Sequence, residues 1–174
     1  MFMGSNAMSI VVVRELGSET DVGLLFSLCA ALEVLVMGLF VVRPMAKVSV
    51  PLLVLGFVLF AAYFLMALVW PTLLSLYLGQ VPRAAAIGIL RVVGMAYVQQ
   101  LLPGRAGVAS ALFGNTMSAG ALLSGLGTGI FAEAFGYRAV FGVCLVLSLV
   151  GAAVLFWPSG PARTSSPVQV KRHG

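Results

Sequence analysis

From residue 1 to residue 157 the chain is a succession of apolar runs separated by no more than seven residues. The runs are Met1–Val13, Asp21–Val42, Ser49–Trp70, Thr72–Leu102, Gly107–Phe135 and Tyr137–Trp157. A helix rises about 1.5 Å per residue, so about 20 apolar residues cross the roughly 30 Å hydrocarbon layer of a bilayer. The last five runs reach that length, whereas the first would rise only about 20 Å. The chain therefore reads as an all-α, polytopic membrane helical bundle: residues 1–13 a partial transmembrane helix and residues 21–157 five full ones. The opening run reads as the end of a span whose beginning is missing. It has no basic n-region and no cleavage-like site before Arg14-Glu15, which argues against a signal peptide. After Pro158 the composition turns to Pro, Ser and Arg, and 158–174 is expected to be a disordered cytoplasmic tail.

Composition closes off the other classes. With 61% hydrophobic and 9% charged residues and a mean hydropathy of +1.11, a soluble core is not available. The net charge of +5 comes from basic residues scattered singly between apolar runs, with no basic stripe and interleaved aromatics for nucleic acid. Cys29 and Cys144 fall inside apolar runs and read as small hydrophobes, without metal spacing or a disulfide framework. An enzyme is poorly supported: there is no His-Glu-x-x-His motif, no buried histidine and no pair of membrane aspartates. No cofactor motif is convincing either, since Gly125-Leu-Gly-Thr-Gly129 has no strand before it to make a nucleotide loop.

Orientation follows from the alternate turns. Arg43, Lys47, Arg105, Arg163, Lys171 and Arg172 fall on one side with no acid, and Arg14 and Arg138 on the other with Glu15, Glu19, Asp21 and Glu133. The excess of Lys and Arg puts the first side and the C-terminus in the cytoplasm.

Charge inside the spans carries the functional question. Arg83 and Arg91 lie in the fourth run, and a charge at membrane depth faces a protein interior, a water-filled path or a partner carboxylate. Glu33 counts to about 18 Å below the outer end of its helix and Arg83 to about 16 Å, so the two are expected near one level. Three readings are open: a pair broken and remade by protonation during transport, a permanent structural ion pair, or no contact. Gln80, Arg83, Ala84, Ile87, Arg91 and Gly94 fall within an arc of about 80°, a stripe suited to the wall of a water-filled cavity. Pro82 beside them weakens the backbone ladder where a hinge or bend would be useful. On the next helix Asn115 and Ser118 share a face, and Asn115 counts to the level of Arg91, so these residues are expected at one inner site. Close helix packing is the default reading of Gly125-x-x-x-Gly129 and Gly114-x-x-x-Ser118. Ser49–Trp70 carries no charge and Tyr137–Trp157 only Arg138 at its outer end, and both are expected to face lipid, so that every third helix lies outside the pathway.

The block Gly94-Met-Ala-Tyr-Val-Gln-Gln-Leu-Leu-Pro-Gly-Arg-Ala-Gly107, continued by Leu112-Phe-Gly-Asn-Thr-Met-Ser-Ala-Gly120, resembles the tenth and eleventh helices of bacterial sugar efflux transporters of the major facilitator superfamily. Ala31-Leu-Glu33 resembles the family's eighth helix, and the six-span layout resembles the C-terminal half of its twelve-helix fold. The partial span 1–13 would be helix seven and the five full spans helices eight to twelve. The resemblance implies export of sugars or sugar-like polar molecules across the inner membrane by alternating access, as a proton antiporter. It places Glu33, Gln80, Arg83 and Asn115 in the central cavity. Substrate would meet Gln80, Arg83, Arg91, Asn115 and Ser118, and Glu33 would couple protons. The chain departs from the family in its short Arg43-Pro44-Met45-Ala46-Lys47 turn and in lacking the N-terminal half. The alternatives are an inactive truncated fragment, a half that works with a partner half, or export of lipophilic drugs, which the amides and arginines disfavour.

Overall fold

The computed structural model describes residues 2–42 and 50–156; the Arg43–Lys47 turn and the 158–174 tail lie outside the described residues. The first run folds as α1 (Phe2–Val11) and passes directly into a π-helical turn, Val12–Leu16. There the Gly17 N–H donates to the Val12 carbonyl at 2.8 Å, the wide ring of a π turn. Arg14 stays helical with its guanidinium 5.5 Å from the centre of the Tyr137 ring, so only Gly17 and Ser18 remain as a connection. Five helices follow: α2 (Glu19–Val42), α3 (Val50–Val69), α4 (Leu73–Leu101), α5 (Ala106–Phe135) and α6 (Tyr137–Phe156). All five are long and apolar enough to cross a membrane, and their limits fall within two residues of the apolar runs.

Local chemistry sets the helix ends. Asp21 accepts from both the N–H and the hydroxyl of Ser18 at 2.9 Å, occupying a donor that the first turn of α2 would leave bare. Thr72, after Pro71, is extended, and its hydroxyl accepts from the Ser75 N–H at the start of α4. The reversals from α4 to α5 and from α5 to α6 use Gly104 at φ 78° and Gly136 at φ 81°, a region that side chains with a Cβ rarely enter.

α3 and α6 pack against each other at the centre, α4 lies on α3, and α2 on α4; α1 packs against α5 and α6. These pairings map onto one another when α1 is exchanged with α4, α2 with α5 and α3 with α6, the pattern of two three-helix repeats, whereas the contacts of α5 with α4 and α6 break it. The core holds Met8, Val11, Phe60, Tyr63, Phe64, Leu76, Ile87 and Phe141, with the Phe60 and Phe64 rings stacked at 5.8 Å. α3 and α6 are the two helices expected to face lipid. Their outer faces do expose Leu55, Val58, Val146 and Val154, but their inner faces are the backing on which the polar helices rest. The most exposed helices are instead α2 and α5.

Candidate functional site

α4 remains helical through Pro82 and buries most of the face that carries its polar stripe. Gln80 is fully buried, Arg83 is 4% exposed, and Ala84 and Ile87 are buried with them. One Arg83 nitrogen, Nη1, donates to the Gln80 carboxamide oxygen at 2.8 Å and approaches the Met8 sulfur at 3.7 Å; the other, Nη2, donates to the Ser5 hydroxyl at 2.6 Å. Gln80 in turn donates to the Leu76 carbonyl at 2.9 Å. The rings of Phe26 and Tyr63 lie 5.4 and 5.6 Å from the guanidinium carbon, so aromatic faces take part of the charge. Among the described residues no carboxylate comes within ion-pair distance of Arg83. The upper part of the stripe is thus closed between helices and is not an open cavity wall. The reason is packing: α1 places Ser5 and Met8, and α3 places Tyr63, over the face that was expected to be wet.

Glu33 pairs with Arg91, not with Arg83. Arg91 Nη1 lies 2.5 Å from Glu33 Oε1, with the Arg91 side chain 40% exposed and the Glu33 side chain 16%. The cause is side-chain direction. A Cβ on Gly88 would lie 2.7 Å from Val36 Cγ1, so these two positions are level. Glu33, three residues before Val36, is then level with Ala85, two residues after Arg83 and six before Arg91. By backbone level alone Arg83 is nearer. Helical side chains, however, lean toward the helix N-terminus. The Arg91 side chain therefore climbs back toward Glu33, while that of Arg83 climbs away from it toward Gln80 and Ser5.

Asn115 and Ser118 lie on an exposed face of α5. The Gln99 to Ser110 hydrogen bond at 3.4 Å and the approach of Gly94 to Phe113 fix α5 antiparallel to α4. That register puts Asn115 within about one helical turn of the level of Arg91. The two are level, and no hydrogen bond joins them among the described residues. The close packing expected for the α5 glycines is absent among the described residues: a Cβ at Gly114, Gly120, Gly125 or Gly129 meets no atom of theirs within 4 Å.

The sequence profile of the Major Facilitator Superfamily matches residues 1–173. The chain belongs to this superfamily. Its similar proteins carry sugar-efflux names. A Deinococcus radiodurans protein provisionally named as a sugar efflux transporter is 39% identical over 158 residues, covering 90% of this chain and 41% of that protein. Sugar efflux transporter B of Salmonella typhimurium is 34% identical, over 84% of this chain and 39% of its own length. Sugar efflux transporter A of Dickeya chrysanthemi is 46% identical over 78 residues, covering 45% of this chain and 20% of its own. The chain spans about two fifths of the length of the first of these relatives. No solved structure matches it.

The helical bundle is accordingly part of a major facilitator fold, the fold of a transporter family. Against that frame the residues that counting overlooked are on α1. Ser5 and Met8 complete the Arg83 cluster, and Asn6 and Ser9 lie beside a groove toward α5. The signal was present as Ser5-Asn6 and Ser9, polar groups inside an apolar run too short to be read as a full span.

Proposed function

We propose that the chain forms one wall of a pathway for sugars or sugar-like small polar molecules, exported across the inner membrane by alternating access in exchange for protons. The C-terminus is cytoplasmic in this reading. The observation that carries it is the Glu33–Arg91 pair, deep between two helices yet partly open, and level with the exposed amide of Asn115. The pair is only partly buried, so breaking it costs less than breaking a fully buried one, and water can reach it. Glu33 takes the proton and releases Arg91. Arg91, Asn115 and Ser118 offer donors to substrate hydroxyls. Gln80 and Arg83, closed off in this conformation, meet substrate only when α1 moves from α4.

The test is efflux of radiolabelled lactose from proteoliposomes containing the chain, under an imposed pH gradient. Glu33→Gln is expected to abolish gradient-driven export; unchanged export at every pH removes Glu33 from coupling. The length of the relatives favours a second reading, a half that works only with a partner half. No efflux by the chain alone, restored on co-reconstitution with the remaining part of the Salmonella relative, selects that reading.

A further inference from the structure

The π-helical turn, the α3–α4 turn and the α5–α6 turn share one end of the bundle, as the contacts of Arg14 with Tyr137 and of Arg138 with the Leu68 carbonyl show. Toward this end a groove of about 450 Å³ opens between α1, α5 and the start of α6. It is lined by Asn6, Ser9, Gly125, Thr128, Gly129 and Tyr137 among others, and no Asp, Glu, Lys or Arg lines it. Its lining residues are other than those of the Glu33–Arg91 pair and of the Arg83 cluster.

We propose that this groove is a subsite for an uncharged polyhydroxylated ligand, a sugar ring, held apart from the charged pair. The ligand class rests on the sugar-export reading. The groove's own chemistry points the same way. Ser9 donates its hydroxyl proton to the Ser5 carbonyl at 3.0 Å, and Thr128 donates to the Ser124 carbonyl at 2.7 Å. Each hydroxyl has thus used its proton within its own helix and presents lone pairs, which suit the O–H donors of a sugar. Asn6, exposed at the same wall, adds an amide that both donates and accepts. Tyr137 supplies a ring whose position is fixed by Arg14, an apolar platform for the C–H face of a pyranose. The Ser124 hydroxyl, one turn before Thr128, is buried with no hydrogen-bond partner among the described residues, a polar atom left over beside the groove. Gly125 and Gly129 keep the α5 wall flat, since a Cβ at either position meets nothing within 4 Å. The volume lies within the roughly 300–1,000 Å³ of small-molecule sites. No charged side chain lines the groove and the adjacent Arg14 is engaged on the Tyr137 ring, so an anionic sugar gains little there and loses hydration.

The experiment is protection from a maleimide by lactose, on the 174-residue chain in lipid nanodiscs carrying Asn6→Cys or Gly129→Cys. Cys29 and Cys144 are buried, so their continued inertness reports that each variant is folded. At about ten times its Kd, lactose slows modification at both positions by about tenfold, as occupancy requires. Glucuronate at the same concentration protects far less, and adding Gly125→Leu or Thr128→Val removes most of the lactose protection. Absence of protection in folded protein, equal protection with Gly125→Leu in place, or protection confined to Asn115→Cys overturns the proposal. Because the readout is occupancy and not flux, it separates the two readings. Protection that survives a failure of Glu33→Gln to alter export leaves the groove standing. Normal export without protection removes the groove and leaves the transport reading intact.

Discussion

Arg83 and Arg91 sit on one helix, two turns apart, and meet different chemistry. Arg83 is satisfied by neutral acceptors and ring faces, and Arg91 by a carboxylate. Gln80→Leu takes from Arg83 the acceptor at 2.8 Å while keeping the volume similar. A loss of about 1–3 kcal/mol in stability is expected, read as a lower unfolding midpoint in detergent. Arg91→Gln leaves Glu33 without its cation and should cut lactose efflux at least about tenfold, a change worth about 1.4 kcal/mol. The exchanged pair, Glu33→Arg with Arg91→Glu, should recover part of that rate if the interaction itself matters. Which charged residues lie within the spans was legible from the apolar runs alone. The partner of Glu33 was not, because counting rises along a helix locates the Cα and says nothing of a lean toward the N-terminus.

At the level of helices, the α2–α4 seam depends on Gly88. Gly88→Leu drives a side chain into Val36, so overpacking of about 1–3 kcal/mol is expected, with loss of the Glu33–Arg91 contact. α5 is the opposite case. Gly120→Ala meets open space and should be neutral or stabilise the helix by about 0.5–1 kcal/mol, since alanine loses less backbone freedom. Helicity against temperature checks both. Helix limits were legible because membrane thickness sets the run length and Pro71, Pro103, Gly104 and Gly136 mark the breaks. The absence of partners along the α5 glycines was not, because small residues permit close packing without requiring it.

For the whole molecule, the expected topology puts the α4–α5 turn in the cytoplasm and the α5–α6 turn outside. A membrane-impermeant maleimide applied to intact cells should label Gly136→Cys and spare Gly104→Cys; the reverse pattern inverts the orientation. Family membership was legible from the Gln99–Ser118 block, whereas the contribution of α1 needed the fold, because Ser5 and Arg83 are brought together across 78 positions of sequence. The exchange of α1 with α4, α2 with α5 and α3 with α6 leaves two related seams unequal: α2–α4 is clamped by a charge pair, while α1 and α5 border a groove. In an inverted repeat, closing the second seam and parting the first regenerates the same arrangement seen from the opposite membrane face. The outward-facing and inward-facing forms would then be two settings of one design, and protonation of Glu33 would loosen the clamp that holds the present one.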